Sequence, residues 1–281
     1  MRLLEAFLIA IVVYNDHAAA SPDVPQVGVG VKWYPGWTDA DIPTQPKPER
    51  IMRQIPLGSA VESGGLANAS YINVLLYDDY VCTKTGSPQV YNTSATAPIR
   101  AGDTVMIPWH GWADRFGTLP QGPILNYMAK CPKSGCGGWK AAYPETPWFK
   151  ISHDGYTVTD KVWATNKIFR NHTPENPTAV ATVQIPSNIV PGDYILRHEM
   201  IDLWHQAWYP TLGYIGHPDF FPVCIQLTVF GNGTLEAGGS SIPGIHHNND
   251  PGIQFDPRVD FDLKGPYVIP GPPIYPGLRF D

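Results

Sequence analysis

Charge is scarce in this chain: only 16% of its 281 residues are Asp, Glu, Lys or Arg. Basic side chains number 19 and acidic ones 25, so the formal net charge is −6. No cationic excess exists to neutralise a phosphate backbone, which argues against a nucleic-acid partner. The imbalance is also too mild for an acidic tail or a disordered acidic chain. Helical periodicity is nearly absent, and neither a Gly-x-Ser-x-Gly elbow nor a phosphate-binding loop occurs. No internal repeat marks a solenoid. The longest apolar run, Leu3 to Tyr14, is too short to span a bilayer, so no membrane partner is expected.

What the chain has instead is punctuation and aromatic surface. It carries 30 prolines, 27 glycines, nine tryptophans and 14 tyrosines. That mixture suits a loop-rich all-β scaffold better than a helical one. At 43% hydrophobic, 281 residues suffice for one sizeable core, and all-β sandwiches often reach this length as one domain. Residues 1–20 read as a signal peptide: Arg2, the apolar run interrupted by Glu5, then Ala18-Ala19-Ala20 for cleavage. Residues 21–281 are then a single secreted, extracellular domain. Four cysteines, Cys82, Cys131, Cys136 and Cys224, fit that compartment. So do four glycosylation acceptor motifs, at Asn68, Asn92, Asn171 and Asn232.

Alternating apolar residues mark the strands. Val27, Val29 and Val31 form an opening strand, followed by Asp103 to Trp109, Ile124 to Met128, Val180 to Ile185, Tyr194 to Ile201 and Cys224 to Phe230. A turn at Val190-Pro-Gly-Asp193 separates the fourth and fifth. Residues 33–60, 111–121, 131–148 and 206–221 read as long loops, and loops of that length are commonly functional surface. The proline-rich segment from Ile242 is expected to wrap the sandwich in extended form.

Six segments in order resemble one family, the auxiliary activity family 9 lytic polysaccharide monooxygenases. They are Tyr34-Pro-Gly-Trp37, Gly122 to Cys131, Ile185 to Glu199, Phe221 to Leu227, Asp250-Pro-Gly-Ile253 and Tyr267 to Tyr275. The resemblance runs from about residue 27 to the end. It implies an immunoglobulin- or fibronectin-like β-sandwich, a flat face for cellulose or a related β-glucan, a monomer, and copper as cofactor. It also implies the pairings Cys82–Cys224 and Cys131–Cys136. In the loop-entropy model the long bridge contributes about 5 kcal/mol and the short one roughly 2 kcal/mol.

The family's copper sits between three nitrogens in a T shape, two from an N-terminal histidine and one from a second imidazole. Carried onto this chain, the resemblance finds none of the three metal positions filled. Cleavage directly before His17 would put Asp16 and Tyr14 where small residues belong, so His17 is expected to leave with the signal. The second ligand position falls on Pro120, which has no lone pair to offer; His110, ten residues upstream, is a weak substitute. The axial tyrosine is replaced by Phe221, and the glutamine two residues before it by Asp219. His205 approximates the family's outer-shell histidine, with Trp204 inserted beside it. Copper is therefore not expected to bind, since outer-shell changes alone cost 10- to 100-fold in affinity.

Other constellations read as structure. His246-His247 with Asp250 sits in a turn context. Asp78 and Asp79 are adjacent, so on a strand they would point to opposite faces rather than act as a pair. Arg197-His198-Glu199 lies on a strand and reads as a buried hydrogen-bonded pair. Tyr34, Trp37 and Tyr275 fall at the family's flat-face positions, where rings stack on sugars; packing beneath the proline-rich segment is the competing reading. Trp204, Trp208, Tyr209 and Tyr214 would extend that face. Two functions follow: a polysaccharide-binding protein with a dismantled metal centre, or an active monooxygenase using another ligand set. That set would be His205 with His110 or His217, or a histidine start hidden by a misread first exon.

Overall fold

The computed structural model describes residues 24–37, 49–53, 61–62, 79–82, 94–110, 119–142, 144–169, 179–203, 208–209, 214–215, 218–247, 249–263 and 266–281. In chain order, β1 spans Val24–Val29, β2 Lys32–Trp37 and β3 Val61–Glu62, followed by helix α1, Asp79–Cys82. Then come β4 (Ala97–Arg100), β5 (Thr104–Trp109), β6 (Ile124–Lys130) and β7 (Trp148–Asp154). The short pair β8 (Tyr156–Thr157) and β9 (Val162–Trp163) leads into helix α2, Ala164–Phe169. Strands β10 (Ala179–Gln184), β11 (Gly192–Asp202), β12 (Trp208–Tyr209), β13 (Tyr214–Ile215) and β14 (Asp219–Phe230) complete the sheets, and helix α3 spans Asp260–Leu263.

The fold is an all-β sandwich, as expected. One sheet has the order β10-β5-β1-β2; the larger runs β3-β14-β11-β6-β7, with β4 parallel to β14. All six anticipated strands form. Val31 is the exception within the first: it stands fully exposed in a hairpin turn, because Gly30 at φ 58° reverses the chain into β2. Strand β2 lies in a stretch that reads as loop, and β4 and β7 lie outside the strands read from the sequence. Their residues include Pro35, Pro98 and Lys150, which break the apolar alternation; β2 and β7 are edge strands, where proline and charge are tolerated.

The core sits between the sheets. Val27, Val29, Ile107, Trp109, Ala181 and Val183 of the smaller sheet pack against Met128, Leu196, Val223, Ile225 and Leu227 of the larger one. Full burial of each large apolar side chain is worth about 1.5–3 kcal/mol. A second cluster covers the outer face of the larger sheet, where Phe220, Cys224, Leu125, Ile195 and Ile201 meet Tyr80, Trp148, Ile242 and Phe255. Both faces of β11 and β14 are therefore buried, as in a central strand of a three-layer arrangement. The disulfides join Cys82 to Cys224 (Cα–Cα 5.4 Å) and Cys131 to Cys136 (5.1 Å). The first clamps α1 onto that outer face.

Alternation along β11 sends His198 inward and Arg197 and Glu199 outward, yet all three are fully buried. Arg197 donates to both Glu199 carboxylate oxygens at 2.8 Å, and to the carbonyls of Val81 (2.7 Å) and Tyr80 (3.0 Å) on α1. The Tyr80 hydroxyl donates to Glu199 at 2.6 Å. Burial alone would push the Glu199 pKa up. The Arg197 guanidinium and the His246 contact outweigh it and hold the carboxyl well below the usual carboxylate range. The segment after Ile242 crosses this face with little regular structure, broken by α3. It is tied down by Lys150 Nζ donating to the Pro270 carbonyl (2.8 Å) and the Tyr275 amide donating to the Lys150 carbonyl (2.8 Å).

Because Glu199 has a depressed folded-state pKa, the stability it contributes is complete above its unfolded pKa of about 4 and is lost as pH falls below that value. Arg197→Met leaves the carboxylate buried and uncompensated, and is expected to cost about 3–5 kcal/mol at pH 7 in urea unfolding. The gap to the parent should narrow towards pH 4, where protonation relieves the stranded charge. An unchanged gap would show that the pair does not carry the effect.

Candidate functional site

One end of the sandwich gathers the residues singled out by the resemblance. There β11 finishes at Asp202 opposite Asp219 of β14, and Met200 pairs with Phe221. His110 follows the last residue of β5 and is half-buried, and the 119–122 segment leads into β6. Among the described residues these supply little metal chemistry. Phe221 is only 7% exposed and belongs to the core between the sheets, so its ring is a packing element. Pro120 is buried, and its carbonyl accepts hydrogen bonds from Thr165 Oγ1 (2.8 Å) and Asn166 Nδ2 (3.0 Å) of α2.

That clamp is built locally. The Gly122 amide donates to Thr165 Oγ1 at 3.1 Å, and the Gln121 amide to Asp202 Oδ1 at 3.0 Å. A Cβ on Gly122 would lie 1.9 Å from the Ile201 carbonyl oxygen, so only glycine lets the two strands meet here. The 120–122 segment is thus a structural link between β6, β11 and α2.

Beside it runs a polar chain that no sequence signal had joined. Trp109 Nε1–H donates to His198 Nε2 at 3.2 Å, which places the imidazole proton on Nδ1. Nδ1–H then donates to Asn126 Oδ1 at 2.7 Å, and Asn126 Nδ2 to Ser152 Oγ at 3.0 Å. A register shift between Asn126 and Tyr127 re-aims β7 so that Ser152 reaches Asn126. The chain borders a cavity of about 260 Å3 lined by residues of β7, α2 and β10, among them the Lys167–Asp154 ion pair at 2.6 Å. Burial drives the His198 pKa down to about 3. The Arg-His-Glu strand hinted at this network; Trp109 and Ser152, far apart in sequence, could be joined only by packing.

The rings expected on a flat face separate. Trp37 is 4% exposed, donates from Nε1 to the Met52 carbonyl at 2.8 Å and has the Arg50 guanidinium 4.9 Å over its ring. It has no face left for a sugar, and that expectation is corrected: a long-range hydrogen bond holds the indole in the core. Tyr275 is half-buried; its ring meets Phe149 edge-on at 5.8 Å, and its hydroxyl lies 3.5 Å from the Glu236 carbonyl oxygen. Tyr34, half-buried on β2, carries the Lys32 ammonium 4.8 Å over its ring. His246 is buried against Glu199, while His247 and Asp250 close a turn, as read from their context. His17, His205, His217, Asn68, Asn92, Asn171, Trp204 and Asp78 lie outside the described residues.

A family model described as Auxiliary Activity family 9, formerly GH61, matches residues 24–264. The chain belongs to this family. It is 31% identical over 245 residues to family 9 lytic polysaccharide monooxygenase F of Podospora anserina, covering 86% of this chain and 82% of that protein. Monooxygenase F of Botryotinia fuckeliana is 36% identical over 162 residues, 57% of this chain. The chain spans 58% of the length of that relative and 42% of monooxygenase B of Geotrichum candidum. A cellulose-active polysaccharide monooxygenase from M. thermophila superimposes with a TM-score of 0.67 at 27% identity, covering 90% of this chain and 98% of that one. The extended catalytic domain of H. jecorina LPMO9A gives 0.71 at 24%, over 92% of each chain.

Family 9 enzymes depend on copper, and the described residues do not fit it. No group of three His, Cys, Asp or Glu side chains among them comes together as a metal site. Phe221 and Pro120 bring no side-chain donor, and the free lone pairs of the Pro120 carbonyl already serve Thr165 and Asn166.

His198 supplies a pH test. Its folded-state pKa lies below the unfolded value of about 6.5, so the unfolded chain takes up a proton that the native state refuses. Stability should fall by up to about 1.4 kcal/mol per pH unit as pH drops from about 6.5 towards 3, on top of carboxylate effects below about 4.5. His198→Gln should flatten that slope between pH 6 and 5 in chemical unfolding. A slope that survives the change would assign it to another group.

Proposed function

We propose that this chain is a secreted family 9 protein that holds cellulose or a related β-glucan and has lost the copper chemistry of the lytic polysaccharide monooxygenases. In this reading residues 1–20 are the export signal and 21–281 one monomeric domain. The observation that carries it is the fate of the two described ligand positions. Pro120 and Phe221 are not empty places in a site but parts of the scaffold, one clamped by α2 and the other packed between the sheets. The clamp runs through the Pro120 carbonyl, which any residue supplies, so the reading rests on the lack of a donor side chain at 120 and 221.

Binding then rests on aromatic rings rather than on metal. In chain order the β12–β13 pair lies between Asp202 of β11 and Asp219 of β14. It carries Trp208, Tyr209 and Tyr214. Aromatic residues of these types suit stacking on the apolar faces of pyranose units. Trp37 is excluded from this role by its burial, and Tyr275 is engaged with Phe149.

Two measurements test the proposal. Calorimetric titration with Cu(II) should show no submicromolar site, and paramagnetic resonance no tetragonal nitrogen signature. Detection of either would revive the enzyme, with His205 and His110 as the residues to change first. In depletion isotherms on cellulose the protein should bind weakly and, with reductant and peroxide, release no oxidised oligosaccharide. Trp208→Ala with Tyr214→Ala should weaken binding by about 1–2 kcal/mol if each ring covers a sugar. Binding that ignores these changes would refute the stacking element.

A further inference from the structure

At the other end of the sandwich lies a cleft of about 650 Å3, within the range of ligand sites of about 300–1,000 Å3. Three segments wall it: the turn Arg100 to Asp103, the residues Ser187 and Asn188, and the Gly231 to Thr234 stretch, with Arg279 and Asp281 from the last segment of the chain closing it. One of the four acceptor motifs, Asn232-Gly-Thr234, forms part of that wall.

The motif is held rigidly. A Cβ on Gly233 would lie 2.2 Å from the Ile189 carbonyl oxygen, so the middle residue is wedged beneath the 188–189 backbone. The Leu235 amide donates to the Asn188 carbonyl at 2.9 Å and the Val190 amide to the Leu235 carbonyl at 3.1 Å. Asn232 itself is exposed, and among the described residues its carboxamide makes no hydrogen bond. The opposite wall is equally fixed. The Ser187 amide donates to the Arg279 carbonyl at 2.8 Å, Asn188 Nδ2 to the Gly277 carbonyl at 2.8 Å, and Ser187 Oγ to Asp281 Oδ2 at 2.7 Å.

Charge decides the class of occupant. Arg100 and Arg279 are balanced by Asp103 and Asp281, so the lining is neutral overall and offers donors and acceptors without a field for an anion. The guanidinium groups of Arg100 and Arg279 have no partner among the described residues. The guanidinium donors together with the Asp103 and Asp281 acceptors suit a neutral, many-hydroxyl ligand. We propose that the cleft seats the inner N-acetylglucosamine residues of an N-linked glycan carried on Asn232. The sugar covers the joint between residues 277–281 and the 187–188 segment. This inference rests on the secreted reading above.

The test uses the full chain made in a eukaryotic secretory host. Peptide mapping after peptide-N-glycosidase treatment in heavy-oxygen water should report a labelled Asp at position 232. On the native protein the enzyme should release this glycan about tenfold more slowly than on the denatured chain, the factor that about 1.4 kcal/mol of local opening sets. Arg279→Ala, which thins one wall, should recover most of the lost rate, while the intact mass confirms unchanged occupancy. An unoccupied Asn232 in a protein glycosylated at Asn68, Asn92 or Asn171 would overturn the seat while leaving secretion intact. A chain retained in the cell without any glycan would fail the secreted reading instead. Equal release from native and denatured protein would overturn the seat even with Asn232 occupied.

Discussion

Strands β11 and β14 run through the middle of the larger sheet with both faces covered, and the rest of the architecture answers to that burial. A half-solvated antiparallel sheet can send its polar residues to water, but here the outer face carries Arg197, Glu199 and Gln226 with no exposure at all. Desolvating an arginine and a glutamate is tolerable only when each is paired and its remaining donors and acceptors are met. Helix α1 supplies the carbonyls of Tyr80 and Val81 and the Tyr80 hydroxyl, and the Cys82–Cys224 bridge keeps it there. The segment after Ile242 completes the cover with His246, Ile253 and Phe255. Disulfide, helix and proline-rich segment are thus one device for closing a buried polar face.

The same economy explains the candidate site. In a family whose chemistry depends on copper, donor side chains must be free to turn towards a metal. In this chain the two described places that the sequence resemblance singles out are parts of the scaffold: the Pro120 carbonyl is held by α2, and Phe221 packs in the inter-sheet core. A pyrrolidine ring and a packed phenyl ring carry no nitrogen or oxygen that could turn towards a metal. The buried Trp109–His198–Asn126–Ser152 chain points the same way, because an imidazole whose two nitrogens are already engaged is a structural group.

Strand identity was legible wherever apolar residues alternate, since the pleat places every second side chain on one face. Hence β1, β5, β6, β10, β11 and β14 could be read directly. Strands β2, β4 and β7 could not, because Pro35, Pro98 and Lys150 interrupt the pattern and their pairing is set by neighbours distant in sequence. Ordered motifs implied the cysteine pairing, which the structure contains. They misled at Trp37, where a family position was taken for an exposed ring. Whether an indole faces water depends on Met52 and Arg50, 15 and 13 residues away in a segment with no pattern of its own.

By itself the sequence determined composition-level facts: an all-β chain, four cysteines, a family, and the lack of donor side chains at 120 and 221. Those are properties of residue identity, and no packing alters them. Only the tertiary structure decided that Pro120 is a clamp rather than a loop residue. It likewise decided that Tyr80 and Val81 of α1 seal the buried Arg197 guanidinium, and that Asn232 borders a cleft with Arg100 and Arg279. Each of these depends on contacts between residues some 40 to 180 positions apart, and such contacts exist only once the sheets have closed on each other.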